Sequence, residues 1–443
     1  MNITRRQNFV DTFLLVLLFF VIYNVAYDRT ARDRKGIIWS DQEGYYLYLP
    51  MTFVNHSPHG LTSKSDCCPK NDKGEFFTKF TCGVAYCQAP FFLGAHFLSI
   101  VNHVPATGYN DYYYSSVILA AVVWGLIGIL VLRRILLKYF SRSVTWLTVI
   151  SIILGTNFFH YTSRAVGMSH VYSFALVAIL VLITTGLYKT PAKSYKFILL
   201  GFLSGWLVLI RPTNIVFLLF ILLWDIRSIN NLKARFTFYK ENFPKLLLAL
   251  PFSFLPIIPQ MFYWKEMLGS WVSYSYGNES FIYWKHPKIA EVLFDTQNGL
   301  FLYSPILLFS LMGLSFSKKD TRTQILGFVP VFMIITYIFA SWWAWWYGAA
   351  FGHRCYVEYF PIFALPMAVF YEKVMQVNSK VFKICIYLLI IGLIYYSVGM
   401  SILLDYNNYW DGKDWWWNFT AWKKLVHELY FHWDSFKHFI NPA

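Results

Sequence analysis

Two carboxylates, Asp41 and Glu43, stand two positions apart in WSDQEGYYLYLP, Trp39 to Pro50. They follow the first long apolar run and lie beside Tyr45, Tyr46 and Tyr48. One carboxylate held against an acceptor hydroxyl can take its proton. If the leaving group is already a phosphate, no general acid is needed, and cationic side chains stabilise the departing charge. Hydrolysis of a glycosidic bond has a different requirement, two carboxyls facing each other across the bond, which acids so close in sequence serve poorly. On a helix, residues two apart point about 200° apart; on a strand they point the same way. Gly44 interrupts the local structure, so both acids are expected to reach one cavity. The plainer alternative is that they solvate a loop near a membrane.

The cations for such a reaction are Arg164, His170, Arg211, His353 and Arg354. Each also has an ordinary explanation. Arg211 can snorkel along a helix end, and Arg354 can sit over Trp345 or Trp346. His170 can cap a helix, and Arg164 can be a simple loop charge. A phosphate site needs two or three of them, so the group says more than any member. Tyr45, Tyr46, Gln297, Tyr303, Trp345 and Trp346 would line the substrate site, since aromatic faces stack on sugars and an apolar groove suits a polyprenyl chain. Tyrosine and tryptophan also favour membrane interfaces whatever the function.

These residues must be positioned by membrane helices. The chain of 443 residues is 57% hydrophobic, 21% aromatic and only 14% charged, against about 25% charged in an average soluble domain. The expected fold is all-α and polytopic, with about eleven spans near 9–27, 115–137, 144–160, 171–188, 196–210, 212–226, 246–264, 300–316, 325–341, 355–372 and 382–403. The first resembles a secretory signal after Arg5 and Arg6 but is read as retained, since no small-residue cleavage site follows. Arg211-Pro212 breaks one long apolar run into a hairpin. Residues 90–101 look too short to span and are read as lying flat.

With the N-terminus inside, the inside connectors are basic and nearly free of acid, from Arg133, Arg134, Lys138 and Arg142 through Lys189 and Arg227 to Lys318, Lys319, Arg322 and Lys380. The first outside loop, 28–114, holds as many acids as bases. This asymmetry follows the positive-inside rule and accounts for the net charge of +15 without nucleic acid, for which no binding module is visible. The same register brings every candidate site residue to one face.

Cys67, Cys68, Cys82 and Cys87 all lie in the first outside loop. Disulfides are expected there in an exported compartment; zinc is the other reading, although the spacing fits no known module. Cys355 and Cys385 read as packing residues. The segment 404–443, rich in tryptophan and lysine, reads as an interfacial tail after a transmembrane domain over 1–403.

The acidic Asp-x-Glu-Gly-Tyr-Tyr, SRAVGMSH, LIRPTN, NGLFLYSP and WWAWWYGAAFGHR, in this order over roughly residues 1–400, resemble the GT-C superfamily of integral-membrane glycosyltransferases. The nearest flavour is bacterial mannosyl- or arabinosyltransferase-like proteins. The resemblance implies transfer of a sugar from a polyprenyl-phosphate donor to a glycan, lipid or protein hydroxyl, with inversion, on the periplasmic face of a bacterial inner membrane. It implies Asp41 as the catalytic carboxylate with Glu43 as neighbour, and Arg211 and Arg354 on the lipid phosphate. Many members carry a second acid in the next outside loop, where this chain has His160, Arg164 and His170. No cofactor is expected, and metal use stays open. The rival functions are a flippase for lipid-linked sugar and a glycan polymerase or ligase.

Overall fold

A computed structural model describes residues 3–32, 34–63, 67–188, 192–226, 229–316 and 327–404. The expected tail from 405 onward, and the basic residues Lys189, Arg227, Lys318, Lys319 and Arg322, lie outside these. The described chain is mostly helical, with no strand among the described residues. Its helices are α1 (Ile3–Arg32), α2 (Asp41–Tyr46), α3 (Tyr48–Phe53), α4 (Gly83–Val101), α5 (Asp111–Leu136), α6 (Arg142–Gly155) and α7 (Phe158–Ser163). Then come α8 (His170–Thr184), α9 (Ser194–Ile210), α10 (Phe217–Leu223), α11 (Ile229–Glu241), α12 (Phe243–Phe254) and α13 (Ile258–Leu268). The last are α14 (Ile289–Phe294), α15 (Leu300–Tyr303), α16 (Leu308–Leu314), α17 (Phe328–Ser341), α18 (Phe360–Gln376) and α19 (Lys380–Leu403).

Among the described residues, five helical stretches are long and apolar enough to cross a membrane: Gln7–Asp28, Gly83–Val101, Asp111–Leu136, Phe243–Leu268 and Lys380–Leu403. Large apolar side chains point outward from them, among them Leu250 and Phe254 on α12 and Ile384, Leu388 and Ile391 on α19. Such a surface suits hydrocarbon as solvent and makes this a membrane protein. The remaining apolar segments form shorter helices, α6, α8, α9 and α17 among them.

The stretch 90–101 is the end of a longer helix. α4 starts at Gly83 and runs through Pro90. Gly83 packs on the backbone of Leu209 and Ile210 at the end of α9. The indole of Trp124 donates to the Cys87 carbonyl at 3.0 Å, and Asn110, which caps α5, donates to Ser99 at 2.9 Å. So α4 runs antiparallel to the first half of α5, and its two ends meet the end of α9 and the start of α5.

One end of the bundle is tied by basic residues. Asp11 of α1 is fully buried and pairs with Arg133, at the end of α5, and Arg142, at the start of α6. Lys138 donates to Thr185 beyond α8 at 2.6 Å, and Lys245 to the Ala192 carbonyl at 2.7 Å. The opposite end receives the end of α9 and the starts of α2, α8 and α18.

Close packing holds these ends in place. Gly201 and Gly205 lie four apart on α9, and a Cβ at either would collide with the carbonyl of Ala249 or Ser253 on α12. Small residues at this spacing let two membrane helices meet backbone to backbone. Gly313 of α16 meets the Pro366 carbonyl of α18 in the same way.

Candidate active site

Asp41 opens α2 directly after Ser40, whose backbone has φ 53° and ψ −131°. That conformation is uncommon for a residue with a Cβ. It turns the chain out of the preceding segment and begins a helix with Asp41 in its first turn. The carboxylate Oδ2 of Asp41 accepts from Nη2 of Arg354 at 2.6 Å. The next side chain, Gln42, accepts from the Gly167 amide at 2.8 Å. This fastens α2 to the loop between α7 and α8.

Glu43 does not join Asp41. Because α2 is helical, the two acids diverge as the helical period requires. Glu43 lies 3.8 Å from Sγ of Cys67. The expectation of one cavity for both acids failed because Gly44 does not break the helix. Its missing Cβ instead makes room for Phe80 and Cys67. Tyr45 stays with Asp41. It is buried against Phe80 with ring centroids 4.5 Å apart, its hydroxyl feels the charges of Arg211, Asp41 and Arg354, and burial pushes that hydroxyl up to about 12. Tyr46 points away and donates to the Gly108 carbonyl at 2.6 Å.

Arg211 is placed by the proline that follows it. A residue before proline is pushed to extended backbone, and Arg211 has φ −151° and ψ 123°. The helix therefore ends at Ile210 and the side chain leaves the helical path. Its Nε lies 3.3 Å from Oε1 of Glu358. Its Nη2 donates to Sγ of Cys355 at 3.1 Å, and the guanidinium stands 5.7 Å from the Tyr347 ring centre. Nδ1 of His170, the first residue of α8, donates to the same Glu358 oxygen at 3.0 Å. Both His170 and Glu358 are fully buried. Glu358 was not anticipated from sequence. It sits in the short 3-10 turn Arg354–Tyr359, four residues after Arg354, in a stretch that reads as the start of a membrane span.

The Trp-rich turn supports this constellation from the far side. Asn298 donates to the carbonyls of Trp346 and Gly348 at 2.8 and 3.0 Å. His353 is buried against Phe339, Tyr347 and Tyr356, and its Nε2 donates to the Trp345 carbonyl at 3.2 Å. Burial brings its pKa down to about 3; the Trp345 bond opposes this, and the charges of Arg211 and Arg354 add to it. His353 is therefore neutral near pH 7 and acts as a buried spacer rather than a cation. Arg354 behaves in the opposite way. Burial works against its charge, but the Asp41 carboxylate prevails and holds the guanidinium more firmly protonated than usual.

The other expected residues lie further off. Trp345 and Trp346 are half-buried and stack edge to face, with ring centroids 5.6 Å apart. Tyr303 donates to the Thr296 carbonyl at 2.8 Å and packs on Phe351. The Gln297 amide donates to Asp295 at 2.7 Å. Arg164 caps α7; its Nε is buried with no hydrogen-bond partner, and no ion pair joins it to Asp41 or Glu358 among the described residues.

The first loop roofs the site without disulfides. Among the described residues every cysteine is a thiol. Cys67 and Cys68 bring their sulfurs to 2.7 Å without a bond. Cys82 caps α4 and Cys87 lies on it, and five residues of helix turn them about 140° apart. Hydrogen bonds hold the roof instead. Thr78 donates through its hydroxyl to the Gly44 carbonyl at 2.7 Å, the Thr78 amide to the Tyr263 hydroxyl at 2.9 Å, and the Cys82 amide to Gln260 at 2.9 Å. Lys79 pairs with Glu279 at 2.6 Å. No three His, Cys, Asp or Glu side chains gather as a metal set among the described residues.

The geometry thus joins one carboxylate, two guanidiniums, a buried carboxylate and a neutral imidazole at one end of a membrane bundle. This can accept a proton and hold an anion. The chain matches no family model, no curated protein and no solved structure.

Proposed function

We propose that the chain is an integral-membrane glycosyltransferase. It moves a sugar from a polyprenyl-phosphate donor to an acceptor hydroxyl on the extracytoplasmic face, with inversion at the sugar carbon. The observation that carries this reading is the Asp41–Arg354 ion pair with Arg211 close by, at the mouth of helices whose outer faces suit lipid. The acceptor oxygen attacks the anomeric carbon while Asp41 takes its proton. The bond from that carbon to the phosphate oxygen breaks, and the electron pair leaves with the polyprenyl phosphate. Arg354 and Arg211 stabilise that charge.

The donor phosphate competes with Asp41 for Arg354. Binding of the donor therefore releases the carboxylate for the acceptor, so the base is set free only when a leaving group is in place. The loop end of the bundle faces the periplasm of a bacterial inner membrane in this reading, and the basic end faces the cytoplasm. Purified protein in detergent, given polyprenyl-phosphate sugars and candidate acceptors, should form a glycosidic product visible by mass. Donor binding with no product in any combination would favour a flippase, and transfer of whole oligosaccharides would favour a polymerase or ligase.

A further inference from the structure

Glu358 is a carboxylate at the site for which the proposed chemistry has no use. It is fully buried, four residues from Arg354, and Oε2 has no hydrogen-bond partner. Its other oxygen is shared between Nε of Arg211 at 3.3 Å and Nδ1 of His170 at 3.0 Å. Burying an ion is costly unless a partner compensates it. A neutral Gln of the same shape would satisfy His170 equally well, so hydrogen bonding alone does not call for the charge here.

The charges around it supply a reason. Arg354 is balanced by Asp41, and Arg211 by Glu358. With His353 neutral and Glu358 ionised, the four groups sum to zero. An arginine without its own counter-ion, in a poorly solvated pocket, would hold a phosphate very tightly. The product of the proposed reaction carries more negative charge than the donor, so excess affinity would fall on the group that must leave.

We propose that Glu358 is the internal competitor for the lipid phosphate: it holds Arg211 in place and keeps anion affinity low enough for product release. It is a positioning and affinity-setting residue, since it acts through Arg211. The inference rests on the glycosyltransferase reading for its biological meaning, but its charge argument is tested by any phosphate.

The test compares wild-type protein with Glu358→Gln, full length and in detergent. Farnesyl phosphate is the lipid probe, farnesol its uncharged control, and inorganic phosphate the headgroup alone. Glu358→Gln should bind farnesyl phosphate about tenfold or more tightly than wild type, in keeping with loss of one nearby like charge. Farnesol should not distinguish the two. Inorganic phosphate should raise the unfolding temperature of Glu358→Gln at lower concentration than that of wild type. Where turnover is measurable, kcat should fall while the donor KM falls or holds. A residue with only a structural role would not move these two constants in that way. The gain should vanish in Glu358→Gln/Arg211→Gln. Should Glu358→Gln fail to fold, Glu358→Asp draws the charge back by one methylene and should show a smaller gain of the same sign. Unchanged or weaker phosphate binding in a folded Glu358 variant overturns the inference. Failure of both proteins to bind farnesyl phosphate, with the gain for inorganic phosphate intact, overturns the lipid-phosphate reading and leaves the role of Glu358 standing.

Discussion

Asp41 and Arg354 are 313 positions apart in the chain and meet at 2.6 Å. Their side chains are 24% and 17% exposed, so the pair is neither a surface contact nor a sealed core interaction. Ion pairs with this access to water contribute about 1 kcal/mol or less to stability. The proposed chemistry asks far more of them. Asp41→Asn should leave the unfolding temperature nearly unchanged and lower turnover by about 10²–10⁴. Arg354→Lys keeps the charge but loses the planar fork, and should raise the donor KM more than the acceptor KM. Initial rates over both substrates, with unfolding curves on the same preparations, check this. Wild-type turnover by Asp41→Asn would remove the carboxylate from the mechanism.

Asp11 and its two arginines at the other end should show the reverse pattern. Asp11 has no exposure and serves both Arg133 and Arg142, the latter through Nε at 3.1 Å as well as through its fork. Taking away the shared anion leaves two cations facing each other, a loss on the order of 3–5 kcal/mol. Asp11→Ala should therefore unfold readily in mild denaturant, yet any folded fraction should turn over normally. Arg133 is 8% exposed and Arg142 45%, so Arg133→Gln should cost more stability than Arg142→Gln. Equal stability of all three variants and the wild type would show that water or lipid headgroups already compensate these charges.

The parts of this architecture that depend on local pattern were legible. Among the described residues, apolar run length marked four of the five membrane-length stretches and missed Gly83–Val101, and Pro212 marked the break that frees Arg211. Asp41, Arg211, His170 and Arg354, expected on one face, do come together. What stayed hidden depends on tertiary contact. Glu358 sits four residues from an anticipated arginine, but a lone glutamate at the head of an apolar run gives no sign of its partners. The role of Asp11 is hidden for the same reason, since its two arginines come from α5 and α6. His353 was taken for a cation, and only its packing against Phe339, Tyr347 and Tyr356 makes it neutral. Residues 90–101, read as too short to span, are the end of α4, which begins at Gly83 and carries Pro90 within it; a proline can lie within a helix where neighbouring groups take up the freed carbonyl.

The α9–α12 contact makes a steric prediction. Gly205 meets the Ser253 backbone with no space for a side chain, and that neighbour is backbone that cannot rotate aside. Gly205→Val should force the helices apart at a cost of about 1–3 kcal/mol or more. Ser253→Gly should not rescue it, because the obstructing atom is the carbonyl oxygen. Since Cys82, at the head of α4, is bonded to Gln260 of α13, the separation should also loosen the roof and raise proteolysis between 54 and 82. Limited proteolysis in detergent measures this directly. Equal cleavage of Gly205→Val and wild type would mean that the roof is held independently of α12.

His353 makes the stability of the fold depend on acid, and the sign follows from its environment. Its pKa is about 3 in the folded protein against 6.5 as a free side chain. Between these values the unfolded chain binds a proton that the folded chain refuses. Stability therefore falls as pH drops below about 6.5 and stops falling, for this residue, near pH 3. Above 6.5 the imidazole is neutral in both states and contributes no pH dependence. The slope approaches about 1.4 kcal/mol per pH unit, so acidifying from pH 7 to pH 5 should remove about 2 kcal/mol through His353. His353→Gln can still donate to the Trp345 carbonyl but cannot take up the proton. It should lose less stability than wild type over that interval, while the two differ little in slope between pH 7 and pH 8. Unfolding temperatures in detergent at pH 5, 6, 7 and 8 provide the measurement. Parallel curves for the two proteins below pH 6.5 would mean that His353 is protonated in the fold, and would return it to the set of cations able to face a phosphate.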